Sequence, residues 1–193
     1  MPRIRIPTPK VVADPVYGIT DIASVLPMVE KREFQALADK RQLGMSYLTF
    51  PSATHSRKAH SLGSYHATRE LGDRWVKLKL VSNREADALA AFALYHDIGH
   101  PAFSHVTEDL SGLTNSASSL EIMKRSKAEV EACGVDFQLF MSIANGKNKL
   151  GEAVKDKNII VKLGINFKPF NIWIILFYPL DYDKKKPADR QGN

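Results

Sequence analysis

The sequence predicts a mostly α-helical domain that ends in an irregular or β-containing C-terminal segment. Three observations carry this. Ser82 and Glu85 stand at capping-box spacing ahead of the apolar run ADALAAFALY. The stretch SSLEIMKRSKAEVEACG repeats its apolar residues at helical intervals. Past Lys155, the text NIIVKLGINFKPFNIWIILFYPL is rich in β-branched and aromatic residues, which favour extended or irregular backbone. The change of texture divides the chain into a helical domain, 1–155, and a C-terminal segment with a basic tail, 156–193.

Taken in order, VVADPVYGIT reads as an extended piece entering a turn, because Pro15 pushes Asp14 out of helical space and Gly18 tolerates unusual dihedrals. Asp21 is placed to cap a short helix that Pro27 interrupts. EKREFQALADKRQLG follows as a helix, with Phe34, Leu37 and Arg41 or Leu43 near helical spacing and Gly44 as the stop. MSYLTFPSATHSRKAH is turn-rich, and a helix is expected from Ser61, carrying Leu62, Tyr65, Arg69 or Leu71, Trp75 and Leu78 on one broad stripe. The capped helix from Ser82 ends at Gly99 and Pro101. Thr114 to Ser119 reads as a polar linker, the next helix stops at Gly134, and DFQLFMSIANG supplies one more.

With 193 residues, 44% hydrophobic and 25% charged, the chain has the composition of an ordinary globular domain, which excludes global disorder, a collagen-like repeat and a coiled coil. The lone cysteine, Cys133, has no internal disulfide partner and fits a reducing compartment as a small buried hydrophobe. The basic start MPRIRIPTPK leads into Asp14, Pro15 and Gly18 instead of an apolar run, so no secretory signal is read there and a cytoplasmic location is expected. Ile172 to Leu180, the longest apolar stretch, rises only about 14 Å as a helix against a bilayer core of about 30 Å, so no membrane span is expected. The net charge of +6 is concentrated at Arg3, Arg5 and Lys10 and at Lys184, Lys185, Lys186 and Arg190. Such a field concentrates phosphates, nucleotides or nucleic acid without choosing among them.

All six histidines lie between positions 55 and 105. In HDIGHPAFSH, His96 and Asp97 close an apolar helix, and His100 and His105 follow in a loop bearing glycine and proline. Adjacent imidazole and carboxylate groups at a helix end can turn toward one divalent ion, and this donor set suits iron, manganese or zinc. An Asp97 emerging from a buried helix is costly unless it meets a cation or several donors. His60, upstream, completes a candidate set of metal ligands with His96 and Asp97.

HDIGHPAFSH together with THSRKAHSLGSYH resembles the HD-domain phosphohydrolase superfamily, and within it the deoxynucleoside triphosphate triphosphohydrolase branch. The framing text agrees, since VVADPVYGITDI resembles that branch's Asp-Pro-hydrophobic-x-Gly entry and FQALADKRQLGMSYLTFPSATHSR its run from Phe-Gln to His-x-Arg. The resemblance covers about residues 10 to 110. It implies an HD-type helical bundle around a divalent metal, iron, manganese, zinc or magnesium, held by His60, His96 and Asp97. It implies that His100 and His105 line the phosphate pocket, His105 protonating the leaving sugar oxygen. It places Arg57 on the α-phosphate, and Gln42 and Leu43 on the sugar, Gln42 through the 3′-hydroxyl. The implied reaction is hydrolysis at the α-phosphorus, giving a deoxynucleoside and triphosphate, with the ion activating a water.

The branch's fourth ligand is an aspartate in a late Asp-x-Asp-(Lys/Arg)-x-Asp-Tyr motif. LDYDKKKPADR echoes it with Asp183 as the ligand, and VKDKNII echoes it at Asp156. Asn115 and Ser116 stand where the branch has a His-Glu pair, and the chain is shorter than branch members, as a truncated or diverged HD domain would be. The expected partner is a nucleotide substrate, with self-association implied by the resemblance. Two other readings stand beside it: an HD hydrolase acting on nucleoside monophosphates or guanosine polyphosphates, and a catalytically weak protein that binds nucleotides or nucleic acid through its basic ends.

Overall fold

Asp14 makes the first turn. Its carboxylate accepts the N–H groups of Val16 (2.8 Å) and Tyr17 (3.1 Å), and Gly18 takes the positive φ of 73° that closes the turn. Two strands, β1 (Val11–Asp14) and β2 (Gly18–Asp21), therefore pair antiparallel, with Val12 opposite Thr20 and Ala13 opposite Ile19. The sequence reading found the extended run and the turn, and the structure adds the pairing. The computed structural model describes residues 10–101 and 115–147, so the expected segment 156–193 and its boundary at 155 lie outside the described residues.

Asp21 accepts the Ala23 N–H at 2.9 Å and opens a 3-10 turn at Ala23–Val25. Helix α1 (Leu26–Val29) follows with Pro27 in its first turn, where a missing N–H costs nothing. The helix expected over residues 30–44 is shorter: α2 covers Arg32–Gln35, Ala36–Asp39 is a 3-10 turn, and Lys40 then becomes extended. A tertiary pairing overrides helical propensity here. Arg41 bridges Ser56 antiparallel, Gln42 N–H bonds the His55 carbonyl (3.0 Å), and Arg57 N–H bonds the Lys40 carbonyl (2.7 Å).

Helix α3 spans Arg57–Lys77 and starts before the expected Ser61, because the Ser56 hydroxyl accepts the Ala59 N–H and caps it. Helix α4 spans Asn83–Tyr95 behind the reciprocal Ser82 and Glu85 capping box. The two pack closely where both are small: a Cβ built on Gly72 would sit 3.1 Å from the Ala86 Cβ. Beyond them come α5 (Asn115–Arg125), α6 (Lys127–Ala132) and α7 (Phe137–Ala144), for seven α-helices among the described residues.

The polar linker expected at Thr114 to Ser119 is corrected, since from Asn115 onward this stretch is the first turn of α5. Serines disfavour a helix interior when their hydroxyls compete for backbone. Ser119 is buried, and its hydroxyl is occupied by the Gly99 N–H at 3.0 Å. A core spreads from Tyr95, which stacks on Phe34 and meets Phe140 edge-on while its hydroxyl donates to the Met28 carbonyl (2.8 Å). Met28, Phe34, Leu37, Leu94, Val130 and Phe140 are wholly buried around it, and Cys133 is half-buried against the same cluster.

Gly99 is where the loop after α4 lies on α5. A Cβ there would stand 2.2 Å from the Ser119 backbone nitrogen and 2.5 Å from the Ser118 carbonyl carbon. Backbone cannot swing aside as a side chain can, so Gly99→Ala is expected to lower the free energy of unfolding by about 1–3 kcal/mol. A urea midpoint equal to that of the unsubstituted protein would contradict the packing.

Candidate metal centre

The start of α3 and the end of α4 meet, and their functional side chains meet with them. His60 lies in the first turn of α3, and His96 and Asp97 directly follow α4. Nε2 of His60 is 3.1 Å from Nε2 of His96. Oδ2 of Asp97 is 3.7 Å from Nε2 of His60, and Oδ1 is 3.4 Å from Nε2 of His96. One donor atom from each of the three residues lies within 4.8 Å of the others. His60 and Asp97 are buried, and His96 is nearly so.

The protonation pattern follows from the contacts. Nδ1 of His96 lies 2.8 Å from the Ala93 carbonyl, which can only accept, so Nδ1 carries a proton and Nε2 is the ring atom turned toward His60 and Asp97. Burial, reinforced by His96, pushes the pKa of the His60 ring down to about 3, so this ring is neutral near pH 7. For Asp97, burial acts to raise the pKa, but His96, the hydrogen-bonded His100 and Arg57 outweigh it and hold the carboxyl well below its ordinary value. Two imidazoles and one carboxylate, with their donor atoms turned toward one another, fit a divalent cation of borderline softness. The open carbonyl end of α4 adds partial negative charge on the same side.

Asp97 is also the hub of the polar groups around the cluster. Arg57, 2% exposed, donates Nη1 to Oδ2 at 2.8 Å and Nη2 to the Gln42 carbonyl at 3.2 Å. Gln42 donates its amide nitrogen to the same Oδ2 at 3.2 Å, which leaves its amide oxygen buried with no hydrogen-bond partner among the described residues. Nε2 of His100 lies 3.4 Å from Oδ1, and burial lowers the pKa of this ring against the pull of Asp97. Leu43 follows Gln42, half-buried.

Of the residues proposed from sequence, then, His60, His96, Asp97, His100, Arg57 and Gln42 come together, with Leu43 beside them. His105, Asp183 and the alternative Asp156 lie outside the described residues. His66, from the same histidine-rich stretch, sits elsewhere: its Nδ1 is 3.0 Å from the Thr20 hydroxyl and its ring meets Tyr17, so it fastens the hairpin to α3. One residue at the cluster escaped sequence reasoning. Lys40 places its ammonium 2.6 Å from the His100 carbonyl, and its only sequence signal is the i, i+2 spacing to Gln42 in a segment that read as helical.

Fold and site together define a helical protein with a His/Asp cluster, able to hold a divalent metal, where the facing ends of two helices meet. The sequence model of the HD domain matches residues 57–158, and the chain belongs to the HD domain family. A putative HD domain-containing protein of Acanthamoeba polyphaga mimivirus is 35% identical over 114 residues, 49% of this chain and 24% of that one. The human deoxynucleoside triphosphate triphosphohydrolase SAMHD1 is 36% identical over 109 residues, 54% of this chain and 17% of the human protein. A solved phosphohydrolase of Bacteroides thetaiotaomicron superposes with a TM-score of 0.66 at 31% identity, covering 76% of this chain and 38% of that one. The chain thus spans about a quarter or less of these two curated relatives. Among the described residues no helix is long and apolar enough to cross a membrane.

Proposed function

We propose that the chain is a metal-dependent nucleotide phosphohydrolase that cleaves deoxynucleoside triphosphates at the α-phosphorus, releasing a deoxynucleoside and triphosphate. The observation that carries it is the buried convergence of His60, His96 and Asp97 with Arg57 bonded to the same carboxylate. The names of the human SAMHD1 and Bacteroides relatives support the substrate class and the reaction type.

His60, His96 and Asp97 would hold a divalent cation, which when bound would supply positive charge for phosphate oxygens and lower the pKa of a nucleophilic water. The chain's own groups do the rest. Arg57 lends a guanidinium, whose fork matches phosphate geometry, to the charge that grows on the α-phosphate oxygens. The buried amide oxygen of Gln42 needs a donor, and a sugar hydroxyl is one. It has no means of accepting from a deoxy position, so the 3′-hydroxyl is the group it reads. His100 hydrogen-bonds the phosphate, His105 protonates the departing sugar oxygen, and Asp183 is the proposed fourth ligand.

The test is a panel of dNTPs, NTPs and nucleoside monophosphates with manganese or iron, with triphosphate, pyrophosphate and orthophosphate separated among the products. Triphosphate from dNTPs is expected. His96→Ala should cut bound metal from near one equivalent to a small fraction and lower turnover by about a thousandfold or more. Phosphate appearing only from monophosphates would replace the dNTP reading, and salt-sensitive binding with no product from any nucleotide would replace the enzyme reading altogether.

A further inference from the structure

Lys40 sits at a junction that the roles above do not use. Its backbone carbonyl accepts the Arg57 N–H at 2.7 Å, at the start of the helix that carries His60. Its side chain reaches the other half of the site, where Nζ donates to the His100 carbonyl at 2.6 Å. One residue therefore ties the two sequence segments whose meeting makes the cluster. Its neighbours show that the placement is a property of the segment. In extended backbone, side chains alternate in direction: Gln42, two residues on, also reaches inward to Asp97, whereas the intervening Arg41 is exposed and lies 4.0 Å over the Tyr47 ring.

The His100 carbonyl needs such a tie. His100 is buried and its own N–H bonds the Asp97 carbonyl at 3.1 Å, so this residue turns tightly back on the ligand-bearing segment. Its ring is held 3.4 Å from Oδ1 of Asp97. A carbonyl held from outside the turn restrains the ring's position, because only ψ, χ1 and χ2 of one residue lie between them. A half-buried ammonium is an expensive choice of donor where a neutral group would serve for packing alone. It is also a strong one, since hydrogen bonds from a charged donor are about twice as strong as neutral ones.

We propose that Lys40 is a positioning residue: its ammonium clamps the backbone of His100 to the start of α3 and thereby sets the His100 ring against the metal cluster. The catalytic half of this inference rests on the phosphohydrolase reading, whereas the clamp itself does not. Lys40→Met removes the donor and keeps most of the apolar stem, and Lys40→Arg keeps a charged donor.

The experiment is amide hydrogen exchange on the full chain of both variants, alongside steady-state kinetics on the nucleotide that the unsubstituted protein turns over best. In Lys40→Met, exchange over residues 96–101 is expected to quicken by about tenfold, while the middle of α4 keeps its protection. Its kcat should fall by roughly tenfold to a hundredfold with KM changed less than about threefold, the signature of a misplaced group rather than a lost binding contact. Lys40→Arg should recover both. Unchanged exchange in Lys40→Met overturns the clamp. Quickened exchange with unchanged kcat overturns the positioning role, as does a kcat loss that Lys40→Arg shares in full. If the unsubstituted protein turns over no nucleotide, the phosphohydrolase reading fails, and exchange alone then decides for or against the clamp.

Discussion

Asp97→Ala is expected to lose the metal and a large part of the fold's stability together. The two losses are linked because the carboxylate that would hold the ion also neutralises Arg57, which is 2% exposed and donates to it at 2.8 Å. Removing one partner of a buried pair leaves the other charge desolvated and unpaired, at a cost of about 3–5 kcal/mol. Gln42 loses its acceptor at the same time. The double variant Asp97→Ala, Arg57→Met removes the stranded charge. It should recover much of the stability, as measured by urea denaturation, yet still carry no metal by elemental analysis. If Asp97→Ala unfolds within about 1 kcal/mol of the unsubstituted protein, or keeps its metal, Asp97 is not the hub described above.

Acid should undo the metal-free protein well before it reaches the ordinary carboxylate range. His60 ionises at about 3 in the folded chain, against an ordinary 6.5. Between those values the unfolded chain binds a proton that the folded chain refuses, so stability rises with pH across the window and falls as pH drops below about 6.5. Each unit of difference corresponds to about 1.4 kcal/mol, so several kcal/mol are at stake. Asp97, held well below its ordinary 3.8, adds a loss of the same sign below that value. A bound cation opposes protonation of the same nitrogens, so saturating manganese should raise the melting temperature most near neutrality and progressively less toward pH 5. Chelator-treated protein whose melting temperature is flat from pH 7.5 to 4.5 would contradict the buried, neutral state of His60.

How much of this was legible in the sequence depended on the range of the interaction. The Ser82 and Glu85 capping box, the stop at Gly134 and the adjacency of His96, Asp97 and His100 are local, and each sits where its residues place it. Helix α3 was foreseen with a late start because Ser56 looked like one more turn residue until its hydroxyl was seen to cap Ala59. The helix expected across Lys40 to Leu43 failed because pairing with residues 55–57 outweighed propensity, and no local pattern announces a partner that far along the chain. For the same reason only family resemblance points to Gln42 and Arg57, while their joint bond to Asp97, and the contact of Lys40 with His100, exist only in the folded chain. The start of α5 reads as a linker because four of its first five residues are polar, and the buried partner that makes Ser119 tolerable is Gly99 on another element.

The hairpin and the short helices before residue 57 have a practical bearing on how this protein can be handled. The family signature begins at residue 57, and a clone cut at that border would still encode His60, His96 and Asp97. It would omit Met28, Phe34 and Leu37, three side chains with no exposure at all, the carbonyl that receives the Tyr95 hydroxyl, and the Tyr17 ring seated on Gly63. Signature and folding unit thus have different borders, and a fragment trimmed to the signature would present an intact list of ligands on a scaffold stripped of one wall.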